Sequence, residues 1–312
     1  MGIANPENKP VVALIAGPTA SGKTALALHL AQTHNCTIIN ADSAQVYADL
    51  PILSAQPSAQ AMASVPHRLF GYRGGASPCS AADWAAAAKE EIRAAHSEDR
   101  LPILVGGTGL YLRTLLDGIA PVPEINPEVR GAVRAMTTSD AFAALLSEDP
   151  AMAAVLHGND DSRIKRALEV VRSSRRSLAD WRRDKVGGIA RQMEWRSLLL
   201  LPPRLWLYER CDRRFAAMME QGAVEEVAAL LSRQFAGDAP VMRAIGVAEI
   251  AALLRGDITR DEAIARGQVA TRQYAKRQYT WFRNQSPPYW ARWTGEINDE
   301  NMKEIETKFQ NL

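Results

Sequence analysis

The sequence has few cysteines and no long hydrophobic run. Its 312 residues include three cysteines, which form no CxxC pair, and five histidines, which form no HExxH pattern. A disulfide framework and a zinc site of these kinds are therefore excluded. The apolar runs are far shorter than the ~20 residues of a membrane helix, and residues 1–10 lack the apolar run of a signal peptide. These absences predict a cytoplasmic protein with no membrane partner.

The sequence also lacks a strong overall charge. It has 37 Lys+Arg against 35 Asp+Glu, a formal net charge of +2, and 47% of its residues are hydrophobic. This composition excludes intrinsic disorder as the main state, and the total charge indicates no particular partner. The positive charge is nevertheless unevenly distributed along the chain. Residues 1–120 hold 8 basic and 9 acidic residues, whereas two later stretches are strongly basic.

Short apolar runs alternate with helical patterns in the first part of the chain. The runs at 11–16, 37–40 and 102–105 are each followed by polar or glycine-rich residues, which is typical of buried parallel strands. Helical patterns at 24–32 and 81–96 are predicted to be the crossovers between them. The fold class predicted from this pattern is α/β, with a doubly wound parallel sheet as the core.

The proline-rich segment 120–127 marks a boundary. Beyond it, helical periodicity replaces strand-like runs until residue 196. We therefore predict a helical insertion domain over 120–189, inserted into a core domain over 1–119 and 190–312. Residues 198–201 are predicted to form a further core strand, the rest of the chain helices, and residues 297–312 an amphipathic terminal helix.

A phosphate-binding loop is the most specific short motif. Residues 17–24 read GPTASGKT and fit GxxxxGK[ST] between a predicted strand and a predicted helix. Gly22 allows backbone N–H groups to face phosphate oxygens, Lys23 supplies a positive charge, and the Thr24 hydroxyl can ligate Mg²⁺. The alternative is a plain glycine turn. The motif favours a P-loop NTPase-like core that binds a di- or triphosphate through Gly17, Pro18, Thr19, Ala20, Ser21, Gly22, Lys23 and Thr24.

Two further candidates follow predicted strands. Asp42 is expected to point into the ligand-binding crevice, as a general base or a ligand of Mg²⁺-bound water, unless it only caps a helix. In the glycine loop 106–109, Thr108 can donate its hydroxyl to a phosphate, although GG followed by Thr is also a common helix start.

The two basic stretches point to nucleic acid. Residues 271–295 contain five Lys/Arg, no acidic residue and 7 of the 20 aromatic residues. Basic groups interleaved with flat rings are typical of single-strand binding, but a helix with its aromatic side chains in the core gives the same composition. Residues 161–191 contain ten Lys/Arg against four Asp/Glu, which indicates either a clamp on phosphates or a solvated helix face.

Together and in this order, these blocks resemble the tRNA dimethylallyltransferases, also called tRNA isopentenyltransferases or the IPP transferase family. The matching blocks are GPTASGKT (17–24), DSAQVY (42–47), PHR (66–68), GGTGLYL (106–112), RIKRALEV (163–170) and TRQYAKRQYTWFR (271–283). Two positions depart from the family pattern. Gln56 stands in a run that is usually Thr-Ala-Lys-Pro, and Val247 stands where the family has Tyr.

The resemblance implies transfer of a dimethylallyl group from dimethylallyl diphosphate to N6 of adenosine 37, beside the anticodon of tRNAs that read codons starting with U. It implies Asp42 as the base, Thr108 at the bridging oxygen, Arg214 on the diphosphate, and Thr24 near Mg²⁺, mostly through water and the diphosphate. The enzyme is expected to act as a monomer. The expected contacts with the tRNA anticodon stem-loop are Asp42, Ser43, Ala44, Gln45, Thr108, Arg130, Arg163, Arg166, Arg243, Gly246, Lys276, Arg277, Gln278 and Arg283.

Two other functions remain open at this point. An ATP-dependent P-loop kinase of a small metabolite explains both glycine loops but leaves residues 271–295 without a role. A nucleotide-switched RNA-binding protein without catalysis explains the basic stretches, and leaves Asp42 as a helix cap.

Overall fold

The computed structural model describes residues 9–310, without the side chain of Gln310. The chain divides into two compact units. Unit 1 consists of Met1–Leu115 and Ala190–Leu312, and unit 2 of Leu116–Ile189. Unit 2 thus begins slightly before the insertion predicted from the prolines. Among the helices of residues 9–310, none combines the length and the apolar character needed to cross a membrane.

The strands are β1 (Val11–Ala16), β2 (Cys36–Asn40), β3 (His67–Arg68), β4 (Leu101–Gly106), β5 (Gly118–Ile119), β6 (Val186–Gly187), β7 (Glu194–Leu200) and β8 (Ala291–Trp293). The helices are α1 (Lys23–Leu30), α2 (Ala59–Ser64), α3 (Ala81–Ser97), α4 (Gly109–Asp117), α5 (Pro127–Ala135), α6 (Thr138–Glu148), α7 (Pro150–Ala153), α8 (Asp161–Ser174), α9 (Leu178–Trp181), α10 (Arg204–Glu220), α11 (Ala223–Ser232), α12 (Val247–Leu254), α13 (Arg260–Gln285) and α14 (Met302–Gln310), with a 3₁₀ turn at Pro240–Arg243.

Unit 1 is built on a six-stranded sheet in the order β3-β2-β4-β1-β7-β8. Every pair of neighbouring strands is parallel. The inner strands β1 and β2 are buried on both faces, which requires the near-continuous apolar runs seen in the sequence. The predicted α/β class with a parallel sheet is confirmed. The predicted strand at 198–201 is confirmed for residues 198–200, which belong to β7, while residue 201 lies just beyond its end.

Helices cover both faces of the sheet. Ala13 and Ile15 of β1 share one cluster with Leu26 of α1 and Ile305 of α14. Because successive residues of a strand point to opposite faces, Val12 and Leu14 lie buried on the other side. Trp84 of α3 is fully buried and its indole N–H donates to the Asn40 carbonyl at the end of β2, 2.8 Å away. This packing fixes the strand ends that carry the site.

The structure corrects several predicted elements near the C-terminus. Residues 291–293 form the edge strand β8 rather than part of a helix, because they pair with β7. The terminal helix begins at Met302, not at 297. Ile297 lies before it and packs against Gly22, where a Cβ would come within 3.0 Å of the isoleucine side chain. The short strand β3 was also missed, since two residues carry no periodicity.

Unit 2 is largely helical, as predicted, but it also contains the antiparallel pair β5–β6. Its core is formed by apolar side chains of α5 to α9, with Val133, Leu145 and Leu168 fully buried. Many of its basic side chains are paired with acids, such as Arg172 with Glu148 at 2.6 Å.

Candidate active site

Two loops at the carboxyl edge of the sheet are joined by hydrogen bonds. Asp42 follows β2, and Thr108 follows β4. The Thr108 hydroxyl accepts the backbone N–H of Ser43 at 2.8 Å and donates to the Ser43 hydroxyl at 3.1 Å. The Thr108 N–H donates to the Ala41 carbonyl at 3.1 Å. Thr108 is thus held beside Asp42, as its predicted role requires.

Asp42 caps a local turn but no helix, because the next helix after β2 begins only at Ala59, so the helix cap given as its alternative role is wrong. Its Oδ1 accepts the N–H of Ala44 at 3.0 Å. The side chain is only partly buried and lines two cavities. The carboxylate thus accepts one backbone N–H while it lines both cavities, as a base at this position requires.

The phosphate loop follows β1 directly and has the curled backbone that the motif requires. Ala20 and Gly22 have φ angles of 62° and 93°, in the left-handed region. Lys23 Nζ donates to the Pro18 carbonyl at 2.7 Å. The Ser21 hydroxyl is buried without a hydrogen-bond partner among the described residues, and Thr24 is exposed. The loop therefore presents unsatisfied polar groups to the crevice.

Helix α10 brings three arginines to this loop. Arg214 donates to the Thr19 hydroxyl, Arg210 Nε donates to the Ala20 carbonyl at 3.0 Å, and Arg213 lines the same cavity. Sequence reasoning found Arg214 only through the family resemblance and missed the other two. Their spacing of three and four residues, which places all three on one face of a helix, was the available signal.

Two adjoining cavities open at the carboxyl edge. The phosphate cavity, of about 490 Å³, is lined by Thr19–Ala25, Asp42 and the three arginines, among others. The acceptor cavity, of about 420 Å³, has an apolar wall that includes Leu50, Phe215, Met218 and Val241. Thr19, Asp42, Ser54 and Arg214 line both cavities. Any group transferred between the two would pass these four side chains.

Burial and charge shift several pKa values at this junction. Burial lowers the pKa of Lys23 to about 8, opposed by the charge of Asp42. Burial likewise lowers the pKa of Arg214. Burial and the nearby Asp42 carboxylate raise the pKa of Tyr274, whose phenol therefore stays protonated. The site combines crowded positive charge with one carboxylate.

Helix α13 presents part of the predicted tRNA surface to solvent. Lys276, Arg277 and Arg283 are exposed, and Arg277 also lines the acceptor cavity. Gln278 differs from the prediction, because it is only 6% exposed and its side chain is bonded inside the protein.

Most aromatic side chains of residues 271–295 serve packing. Phe282 and Trp290 are buried, Trp281 packs against Gly109, and the Tyr279 ring lies 4.8 Å from the Arg204 guanidinium. Of the two alternatives given for this stretch, packing in the protein holds for these four rings, whereas Tyr289 is 80% exposed.

The other predicted contacts of unit 1 fall into two groups. Ser43, Ala44 and the exposed Arg243 line the acceptor cavity. In contrast, the Gln45 amide donates to the carbonyls of Ser54 and Ala55 at 3.0 and 2.7 Å, and so shapes the cavity wall.

The backbone conformation at Gly246 requires a glycine. It has a φ of 97° at the start of α12, and a Cβ there would come within 2.8 Å of Leu53. The neighbouring Val247 is buried, in the apolar cluster that also contains Leu50 and Phe215.

In unit 2, the predicted contacts are at or near the surface. Arg163 and Arg166 are exposed and pair with Asp160 and Glu169 at 3.2 and 3.6 Å. Arg130 is half-buried, and its Nε has no hydrogen-bond partner among residues 9–310. The largely exposed pair of Arg163 is of the weak kind, so Arg163 remains available to phosphates, whereas the Glu169 that Arg166 contacts is only 4% exposed.

The fold and the site together define a P-loop-like α/β protein whose phosphate cavity continues into a partly apolar pocket. Residues 45–285 match the model of the IPP transferase family. A tRNA dimethylallyltransferase of Erythrobacter litoralis is 57% identical over 91% of both chains, and one of Zymomonas mobilis is 50% identical over the full length of both.

Solved structures agree with these sequence relatives. A tRNA isopentenylpyrophosphate transferase of Bacillus halodurans superposes with a TM-score of 0.69 at 31% identity, covering 97% of this chain and 96% of that one. A eukaryotic dimethylallyltransferase acting on tRNA gives a TM-score of 0.76 at 27% identity, covering 88% of this chain and 70% of that one. The chain belongs to the IPP transferase family, which confirms the resemblance, and it is a transferase.

Proposed function

We propose that this protein transfers the dimethylallyl group of dimethylallyl diphosphate to N6 of adenosine 37 in tRNAs that read codons starting with U, giving N6-(dimethylallyl)adenosine. The assignment of tRNA dimethylallyltransferase activity rests on the high-identity relatives. The finer assignment rests on the junction of the two cavities, where the phosphate loop meets Asp42 and an apolar wall. The kinase and the non-catalytic RNA-binding alternatives find no support among the relatives.

The reaction joins N6 to C1 of the allyl group and breaks the C1–O bond to diphosphate. The phosphate loop, Lys23 and Arg214 would bind the diphosphate and stabilise the negative charge that develops on it. Thr108 would approach the bridging oxygen. Asp42 would take the proton that N6 loses, which offsets the poor nucleophilicity of a delocalised amine.

The residues present fit a Mg²⁺ ion that is held mainly by substrate. No cluster of three or more His, Cys, Asp or Glu side chains suited to a metal occurs within residues 9–310. The phosphate cavity instead offers the exposed Thr24 hydroxyl and one carboxylate, Asp42. Mg²⁺ characteristically uses such sparse protein ligands together with phosphate oxygens and water. When bound, it would neutralise charge on the leaving diphosphate.

The target adenine must leave its stack to reach the reacting carbon. We place it in the acceptor cavity, whose rim carries Arg243 and Arg277. The exposed side chains Lys276, Arg277 and Arg283 would bind phosphates of the anticodon stem-loop. Action in the cytoplasm as a monomer remains a prediction.

A substrate comparison tests this function. The protein is mixed with Mg²⁺, unmodified tRNA containing A36-A37-A38, and either dimethylallyl diphosphate or ATP. We expect diphosphate release and a mass gain on the tRNA with the prenyl donor only. Turnover with ATP alone would refute the assignment, and a tRNA with G37 serves as the control acceptor.

The lowered pKa of Lys23 predicts a pH dependence of donor binding. In the free enzyme Lys23 loses its charge above its pKa of about 8, so binding an anion then requires proton uptake. The affinity for dimethylallyl diphosphate should fall by up to about tenfold per pH unit above pH 8. Equilibrium titration without tRNA measures this, and Lys23→Arg, which stays charged, should flatten the profile. A profile that is equally steep in both proteins would contradict the prediction.

The lowered pKa of Lys23 has the opposite effect on the pH dependence of stability from its effect on donor binding. The folded pKa of about 8 lies below the ordinary 10.5, so the unfolded chain binds more protons between these values. The contribution of Lys23 to stability therefore rises with pH across this window.

A further inference from the structure

Gln278 connects three parts of the site through one carboxamide. Its Oε1 accepts the backbone N–H of Thr19 in the phosphate loop at 2.7 Å. Its Nε2 donates to the carbonyl of Gly107, in the loop after β4, at 2.8 Å. The side chain is 6% exposed and lies on α13. The two loops thus share one side chain that comes from more than 150 residues further along the chain.

A carboxamide satisfies both loops at once. Thr19 offers a donor and Gly107 an acceptor, so the partner must accept at one atom and donate at the other. Glutamate lacks the donor and methionine lacks both groups, whereas asparagine is shorter by one methylene. The sequence around it is adapted to this contact, because a Cβ at Gly107 would come within 2.4 Å of Gln278 Nε2.

The hydrogen bonds lie next to the groups that bind substrate. Thr19 lines both cavities, and its hydroxyl accepts from Arg214. On the other side, Gly107 immediately precedes Thr108, which is bonded to Ser43 beside Asp42. Gln278 therefore sets the spacing between the phosphate loop and the Asp42–Thr108 pair. Preorganised spacing of this kind matters because loop N–H groups stabilise charge only from a fixed position.

The neighbours of Gln278 on the helix face the opposite way. Lys276 and Arg277 are exposed, whereas Gln278 follows the buried positions Thr271 and Ala275 at helical spacing. We propose that Gln278 is a positioning residue, which holds the phosphate loop and the Gly107 loop in place against α13 and does not contact tRNA. The proposal rests on the proposed function, because it assigns the fixed loop to diphosphate binding.

The variants Gln278→Met and Gln278→Glu test this role. Met keeps the length and removes both hydrogen bonds, whereas Glu keeps the acceptor for Thr19. We expect the Kd and KM for dimethylallyl diphosphate to rise about tenfold with Met, since a buried N–H loses its partner. The Kd for a tRNA anticodon stem-loop should stay within about twofold of wild type, because neither exposed cation moves.

The pattern of the two affinities decides between roles. Weaker tRNA binding with unchanged donor binding would show that Gln278 contacts tRNA and would overturn the proposal. An equal loss of both affinities with a lower Tm would show a merely structural role, and overturn it too. If the Gln278→Met variant does not fold, the same two Kd values are measured with Gln278→Glu, which keeps the acceptor for Thr19 and loses the donor to Gly107. A matched control is Gln285→Ala on the same helix, whose exposed amide oxygen accepts from Arg113 at 2.8 Å.

Measurements on the wild-type protein distinguish a failure of the positioning role from a failure of the proposed function. If wild type binds no dimethylallyl diphosphate and transfers nothing to tRNA, the proposed function fails. If wild type does both and Gln278→Met binds the donor equally well, only the positioning role fails.

Discussion

Replacing Asp42 with Asn should lower kcat by about 10²- to 10⁴-fold, the usual contribution of a general base. An asparagine carbonyl oxygen can still accept the Ala44 N–H that Asp42 Oδ1 accepts at 3.0 Å, so the turn survives. The amide cannot take the proton that N6 must lose. Single-turnover transfer to tRNA, with donor and tRNA both saturating, measures the effect on the chemical step.

The control variant removes a carboxylate that caps a helix and does not line either cavity. Asp83 lies exposed in the first turn of α3, where it forms a capping box with Ser80. Asp83→Asn should leave kcat near that of wild type, and the Kd for tRNA should change little in either variant. If Asp42→Asn weakens tRNA binding as much as it slows transfer, Asp42 is a structural residue and the assignment of the base is incorrect.

Replacing both Lys276 and Arg277 with Ala should weaken tRNA binding by roughly 10- to 100-fold at low salt and flatten its salt dependence. Each phosphate contact contributes about 0.7 to 0.9 to the slope of log K against log salt, so the double variant should lose about 1.4 to 1.8. Both side chains are exposed on α13, so the fold should not change. Fluorescence titrations of an anticodon stem-loop across a range of salt concentrations measure the slope.

A pair of exposed lysines on another helix provides the matched control. Lys303 and Lys308 are exposed on α14, and replacing both with Ala changes the net charge equally. If tRNA binding depends on the position of the charge and not only on the net charge, this variant should keep the wild-type slope of log K against log salt. Equal slopes for wild type and the Lys276/Arg277 variant would mean that this part of α13 does not reach the phosphates.

The loops at the sheet edge could be predicted because each is encoded locally. A run of buried residues, a glycine turn and a helix start follow one another in residues 11–30, and the same succession recurs around Thr108, between β4 and α4. The long-range contacts could not be predicted in this way. The bond between Arg210 and Ala20 joins residues 190 positions apart, and no periodicity encodes such a pairing.

The amino-acid composition likewise could not predict which aromatic side chains are buried. A 26-residue helix that packs against α10 hides the rings of one face and exposes the cations of the other. Composition counts both faces together, so it could not distinguish rings that stack on bases from core rings such as that of Phe282, which is fully buried. In unit 2, the basic excess of α8 is offset by acids from other elements, such as Glu148 of α6.

The position of β1 in the sheet has a consequence for synthesis. Its two neighbours are β4 and β7, and roughly 90 residues separate them along the chain, which take about 4 to 18 seconds to translate. During that interval β1 presents an open strand edge, a ready template for pairing with another chain. Unit 2 is contiguous and has its own core, so it can fold while the central sheet of the nascent chain is still incomplete.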